Sequence, residues 1–287
     1  MAEPGAITLA VLSDVHLEIR RIQISRMGMS ESGVEEALAA MGKHAALRAA
    51  DADLVIIAGD LASGGDGIAW AETAFAPKPV VYVAGNHEFY RHEIDPLLRE
   101  LHRLASRTRN VRFLENEQVS FALQGQALRV LGCTLWTDYQ LYGRARRAEM
   151  MHAAAHGLLD HRRIRSPSGK FYRPDEALAR HETSRTWLGA KLALPFAGIT
   201  VVATHHAPLA VAIAPRFASD VLSPAFASDC ADLLHYAPAA WVFGHTHYNF
   251  DRQLGATRLF SYQWGYPGEG LEADVGLLAI PIPGADT

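Results

Sequence analysis

Hydrophobic positions along this chain follow two alternating rhythms. Residues 7–12 form a short β-branched and aliphatic run and predict a strand. Residues 34–50 repeat apolar positions at helical spacing, with Ser32 as a candidate N-cap. Residues 54–58 are apolar without interruption, as in a strand buried on both faces. A short helix over 70–75, a strand over 80–83 and a helix containing 96–106 come next. This β–α alternation predicts a largely parallel sheet with right-handed crossovers. The middle then changes character. Residues 111–114, 119–123 and 127–135 read as strands, with Gly125 in a turn. Residues 144–159 and 176–194 read as helices joined by Ser166-Pro167-Ser168-Gly169. Strands return at 199–203, 241–243, 257–260 and 275–280, with a helix over 227–235 between the first two. The order predicts one α/β sandwich over residues 1–287, carrying a helical insertion or cap at 137–195.

Composition narrows the class. The chain has 287 residues, 49% hydrophobic and 20% charged, which is globular and too apolar for disorder. A net charge of −4 argues against a general nucleic-acid binder. Cys133 and Cys230 are far apart and have no metal or redox spacing, so two buried thiols in a reducing compartment are expected. No apolar stretch approaches the roughly 18 residues of a membrane span. The chain begins Met-Ala-Glu-Pro-Gly, with an acid where a signal peptide carries basic residues. A soluble, cytoplasmic protein is expected.

Five polar clusters directly follow predicted strands. Asp14-Val15-His16 follows 7–12, and Gly59-Asp60 follows 54–58. Gly85-Asn86-His87-Glu88 follows 80–83, and Thr204-His205-His206 follows 199–203. Gly244-His245-Thr246-His247 follows 241–243. Ligands of open α/β sheets bind outside the carboxyl ends of strands, so core packing does not explain this placement. Carboxylates, an amide and imidazoles without thiolate suit Mn, Fe, Zn or Ni. Alternate residues of an extended segment point the same way, so Asp14 and His16 can converge on one centre. Each motif alone is weak, while the ordered set is specific.

That set resembles the calcineurin-like metallophosphoesterase superfamily in the order D-x-H, G-D, G-N-H-E, H, G-H-x-H, here from Asp14 to His247. The resemblance implies a four-layer α/β/β/α sandwich with two transition-metal ions. Asp14, His16, Asp60 and His247 would bind the first ion, and Asp60 would bridge. Asn86, His205 and His245 would complete the second, and His87 would stand beside the scissile phosphate as a catalytic residue. Two histidines follow the fourth motif strand. His205 is favoured as the ligand because it comes directly after Thr204, leaving His206 behind the ligands or facing substrate. The implied reaction is hydrolysis of a phosphomonoester or phosphodiester on a small phosphorylated substrate. In such sites two cations clamp an in-line displacement and lower the pKa of a water between them. His87 suits protonation of the leaving oxygen, since imidazole titrates near neutral pH. Glu88 either orients an imidazole or is a helix N-terminal carboxylate. A catalytically inactive scaffold with the same fold is the alternative, and seven filled ligand positions argue against it.

The insertion offers substrate contacts. Residues 143–173 hold eight Arg and Lys, Arg162 and Arg163 among them, against Glu149 and Asp160. The patch either attracts phosphate or is a solvated helix face. His152, His156 and Asp160 form a stripe on that helix, either a third metal site or ordinary surface residues. Tyr139, with Trp136, Tyr142, Phe171 and Tyr172, either stacks an aromatic group or fills core. Segment 22–32, with Met27 and Met29, reads as a loop that could overhang the site, and 265–269 as a turn-rich segment after the strand over 257–260.

Overall fold

The computed structural model describes residues 5–167 and 169–283. Met1 to Pro4 of the N-terminal reading and Ser168 of the predicted helix joint lie outside the described residues. The chain runs β1 (Ala6–Leu12), α1 (Leu17–Arg26), α2 (Glu31–Arg48), β2 (Leu54–Ala58), α3 (Asp66–Phe75), β3 (Val80–Val83), α4 (Ile94–Ala105) and β4 (Val111–Phe113). It continues with β5 (Glu117–Leu123), β6 (Gln126–Cys133), α5 (Arg147–Gly157), α6 (Asp160–Arg163), α7 (Pro174–Leu192) and β7 (Ile199–Thr204). The last strands are β8 (Ala240–Val242), β9 (Phe250–Leu254), β10 (Thr257–Ser261) and β11 (Gly276–Pro281).

Two mixed sheets form. One has the order β11-β1-β2-β3-β4 and the other β5-β6-β7-β8-β10-β9. In each, a parallel centre carries antiparallel edges: β11 beside β1, β5 beside β6, and β9 beside β10. The expected parallel arrangement therefore fails at the edge strands β11, β5 and β9, while the edge strand β4 is parallel to β3. Hairpins build two of the exceptions. Gln124 and Gly125 both have positive φ, the turn geometry that matches strand twist between β5 and β6.

Strand periodicity sets the layers. Ile7, Leu9 and Val11 of β1 and Leu54, Ile56 and Ala58 of β2 face the second sheet's Val201, Ala203, Ala240 and Val242. The alternate residues Leu12, Val55 and Ile57 face α2, α3 and α4. Trp241, Val202 and Leu131 face α7 on the far side. The result is the expected α/β/β/α sandwich, and both faces of the central strands are buried. Helix α4 shows the pattern at work: Ile94, Leu97, Leu101 and Ala105 are its buried residues, one per turn.

Several local readings are corrected. Segment 22–32 is not a loop, since α1 and the start of α2 occupy it. Only Leu17 of α1 is buried, so its sequence shows no apolar stripe to read. Helix α2 starts before Ser32, and the Ser30 hydroxyl caps it by accepting from Gly33 N at 3.2 Å. The helix expected over 227–235 is a 3₁₀ turn at Ala231–Tyr236. Strand β9 was not expected, because Asp251, Arg252 and Gln253 are exposed at a sheet edge and lack alternation. Cys133 and Cys230 are free and buried.

Candidate metal centre

The carboxyl ends of β1, β2, β3, β7 and β8 meet along one rim, and the five polar clusters turn inward there. Interlocking backbone bonds fix these turns. Asp14 N donates to Gly59 O at 3.0 Å, His16 N to Asp60 O at 2.9 Å and Gly244 N to His205 O at 2.9 Å. Space is minimal. A Cβ on Gly85 would lie 2.1 Å from Asp60 Oδ1, and one on Gly59, whose φ is +86°, 2.4 Å from His205 Nδ1. Asp14, His16, Asp60, His245 and His247 all hold left-handed backbone conformations. Such strain persists only where the surroundings enforce it, and it concentrates at functional sites.

Two groups of side chains result, sharing Asp60. In the first, His16 Nε2 lies 3.1 Å from His247 Nε2, and His247 Nε2 lies 3.4 Å from Asp14 Oδ1. His16 Nε2 is 3.9 Å from Asp60 Oδ2. In the second, His205 Nε2 lies 3.1 Å from His245 Nδ1, 3.0 Å from Asn86 Oδ1 and 3.4 Å from Asp60 Oδ1. Asp60 thus offers one oxygen to each group. The triads Asp14–His16–His247, His16–Asp60–His87 and Asp60–His205–His245 each bring ligand atoms within 4.8 Å of one another.

Hydrogen-bond accounting shows what these groups fit. His205 Nδ1 is satisfied by Ala58 O at 2.8 Å, which leaves Nε2 as the lone-pair nitrogen. Asn86 Nδ2 donates to Asp160 Oδ1 at 2.8 Å, which turns the amide oxygen toward that nitrogen. Two acceptors therefore face each other at 3.0 Å in a buried site. A cation resolves this arrangement. Nitrogen ligands about 2.0–2.1 Å from one ion stand roughly 2.9–3.4 Å apart, as these do.

Electrostatics agrees. Burial pushes the imidazoles of His205 and His245 down, and that of His16 to about 4, so these rings are neutral and have free lone pairs. Burial and the neighbouring carboxylates of Glu88 and Asp14 push Asp60 well above its usual range. Burial alone would raise Asp14, yet its hydrogen bond to His247 and nearby histidines hold it well below. His247 rises to about 9, because hydrogen bonds to Asp14 and Glu269 outweigh its burial.

Partners behind these side chains complete the site. Glu88 orients no imidazole and caps no long helix. Its buried carboxylate accepts from Asp60 N at 3.0 Å, Leu61 N at 2.8 Å, Gly85 N at 2.7 Å and the Tyr82 hydroxyl at 2.6 Å. It ties the β2 and β3 turns together. The carboxylate on His87 is Glu18, at 2.9 Å from Nδ1. Burial opposes its charge, but hydrogen bonds to His16 and His87 bring Glu18 down to about 2. The Tyr266 hydroxyl stands 2.9 Å from His87 Nε2, and Glu269 Oε2 lies 2.6 Å from His247 Nδ1. Segment 265–269 therefore closes over the site, whereas Met27 and Met29 do not line its cavity.

His206 points the other way from His205. It is buried, with Nδ1 3.2 Å from Thr134 O, and it packs against Trp136 and His245. It stands behind the ligand groups and does not line the cavity. The insertion contributes differently from the expectation. Tyr139 is 2% exposed and belongs to the core. Arg162 turns to His156 O, and the Arg163 guanidinium lies 5.7 Å from the Tyr90 ring centroid; neither lines the cavity. Asp160 leaves the expected stripe altogether to hold Asn86 and the Tyr90 hydroxyl, both at 2.8 Å. The His152 and His156 rings lie against each other, with His156 Nδ1 2.8 Å from His152 O. Sequence reasoning missed the roles of Glu18, Tyr90 and Asp160. Glu18 sits two residues beyond D-x-H, which is a signal; for Asp160, 74 residues from Asn86, spacing gives none.

The sequence matches the family described as Calcineurin-like phosphoesterase over residues 7–249. The chain belongs to that family. Among solved structures it is similar to a phosphopantetheinyl hydrolase, PptH, from Mycobacterium tuberculosis. The TM-score is 0.63 at 19% identity, covering 92% of each chain. It is also similar to a putative 5'-nucleotidase from Staphylococcus aureus, with TM-score 0.53 at 16% identity, covering 96% of this chain and 50% of that one. At such identities the likeness shows the fold. No curated protein matches the sequence. Membership in the calcineurin-like phosphoesterase family, together with the His/Asp groups, supports metal-dependent phosphoester hydrolysis. Among the described residues no helix is long and apolar enough to cross a membrane.

Proposed function

We propose that this calcineurin-like phosphoesterase hydrolyses a small phosphorylated substrate with two metal ions. Asp14, His16, Asp60 and His247 would hold one ion, and Asp60, Asn86, His205 and His245 the other. The observation that carries this reading is the second group: Asn86 Oδ1 and the bare His205 Nε2 face each other at 3.0 Å, with one Asp60 oxygen 3.4 Å from that nitrogen. When bound, such ions polarise phosphoryl oxygens and lower the pKa of water.

The protein's own residues do the rest. Asp60 N–H, Leu61 N–H and Gly85 N–H are fixed on Glu88, so the ligand turns are set before any ligand arrives. Glu18 occupies His87 Nδ1, which leaves Nε2 facing the cavity. That nitrogen now meets the Tyr266 hydroxyl; a substrate's leaving oxygen would take that place and receive the Nε2 proton of the imidazolium form, with Nδ1–H staying on the Glu18 carboxylate.

The test is metal content together with turnover of p-nitrophenyl phosphate and bis-p-nitrophenyl phosphate by manganese-loaded protein. About two ions per chain and hydrolysis of at least one ester are expected. No bound metal, or hydrolysis that survives in metal-free Asp60→Ala protein, would overturn the proposal.

A further inference from the structure

A cavity of about 330 Å³ opens over Asp60, Asn86, His87, His245 and His247. Its floor is polar and its side wall is not. That wall comprises Leu159 from the turn before α6, together with Ile213, Ala214, Phe217, Leu222 and Phe226. The last five belong to a segment built of short 3₁₀ turns at Ala210–Ala212, Pro215–Phe217 and Ser223–Ala225. The segment is held in place. The Tyr142 hydroxyl bonds Ala218 O at 2.9 Å and Asp220 O at 2.8 Å, and the Ser223 hydroxyl donates to Phe217 O at 2.7 Å. Phe226 stacks on His245 at 4.5 Å and 21°, so the apolar wall abuts the ligand groups directly. Leu159 and Phe217 are each 43% exposed at the mouth. Large apolar side chains left in water beside a polar floor mark a binding surface.

Charge decides what the wall accepts. Among the described residues that line the cavity the one guanidinium is Arg216, which lies 4.8 Å over the Phe217 ring. Asp220 lines the same cavity, and so does Glu269, whose carboxylate is held on His247 Nδ1 at 2.6 Å. A polyanionic leaving group would find one guanidinium at the wall, and the Asp220 carboxylate beside it in the same lining.

We infer that the cavity takes a phosphoester of an uncharged, apolar alcohol, an aryl or alkyl group lying along Leu159, Phe217 and Phe226. This rests on the phosphoesterase reading and narrows its substrate class.

The test is a series of 4-n-alkylphenyl phosphates from methyl to hexyl, with manganese-loaded protein. Leaving-group acidity is nearly constant along it, so differences report binding of the chain. Expected is a rise in kcat/KM of about two- to fourfold per methylene until the cavity fills. The Leu159→Ser, Phe217→Ser double variant should flatten the series, while Arg162→Ala keeps the slope. A second arm titrates phenol and 4-butylphenol into metal-free protein by calorimetry, where 4-butylphenol should bind at least about tenfold tighter. Turnover with a flat series, or a slope untouched by the double variant, overturns the inference and leaves the phosphoesterase reading standing. No turnover of any member breaks the phosphoesterase reading. In that case equal binding of the two phenols overturns the inference as well.

Discussion

The floor and the side wall of the cavity are built in opposite ways. The floor hangs from the ends of five buried strands, where sheet hydrogen bonds, the Glu88 carboxylate and left-handed turns leave each ligand residue one position. The wall comes from residues 213–226 and Leu159, a stretch without an α-helix or strand, apolar and partly exposed at the mouth. The floor tolerates almost no change, since a methyl at Gly85 already meets Asp60. The wall can be reshaped at Phe217 or Leu159 without touching a buried polar group. On the proposed function, chemistry would sit where the sheet fixes the backbone, and substrate choice where it does not.

Asp60→Ala should strike the floor hardest. It removes the carboxylate that both ligand groups share. Loss of both ions by metal analysis and a fall of more than about a thousandfold in p-nitrophenyl phosphate turnover are expected. Glu88→Gln comes next and acts on stability. The glutamine amide would point a donor at backbone N–H groups that now donate to a carboxylate. A cost of about 3 kcal/mol is expected for leaving such buried donors unmet. For a chain of this size that is a drop in Tm of roughly 5–10 °C by calorimetry.

Asp160→Ala tests whether the insertion serves the floor. Without that carboxylate Asn86 Nδ2 is left with the longer contact to the Tyr90 hydroxyl at 3.4 Å, and the amide is freer to turn its oxygen away from His205. Metal affinity should fall about 10–100-fold, as when other partners that orient ligands are removed. Asp160→Asn, which keeps an acceptor, should recover part of it. Tyr266→Phe is smaller still. It keeps the ring, 4.5 Å from His16, and removes only the hydroxyl on His87 Nε2. A change in kcat of about two- to tenfold with unchanged metal content is expected, the size of one hydrogen bond.

The same contrast explains what the sequence revealed. D-x-H, G-D, G-N-H-E and G-H-x-H each lie within a few residues, because one strand end sets each of them. Strand β2 was legible to the residue, since both its faces are buried. Glu88 was visible as part of a motif but not in its role, because its partners are backbone groups that carry no sequence identity. Asp160 was misplaced for a different reason: local spacing put it on a helix stripe with His156, and the long-range packing of the insertion overrode it. The wall was silent, because short 3₁₀ turns have no periodicity to read.

The smallest expected effect separates this picture from simple electrostatic steering. Arg162 and Arg163 lie in the most basic stretch of the chain, and an account based on net charge would make them substrate ligands. Their guanidiniums instead face His156 O and the Tyr90 ring, and neither arginine lines the cavity. Exposed charges beyond about 10 Å of each other are largely screened at 0.1 M salt. The Arg162→Ala, Arg163→Ala double variant should therefore change kcat/KM for p-nitrophenyl phosphate by less than about twofold at that ionic strength. Arg216→Ala, at the cavity wall, should change it more. A larger loss from the double variant than from Arg216→Ala would move substrate recognition from the wall to the insertion.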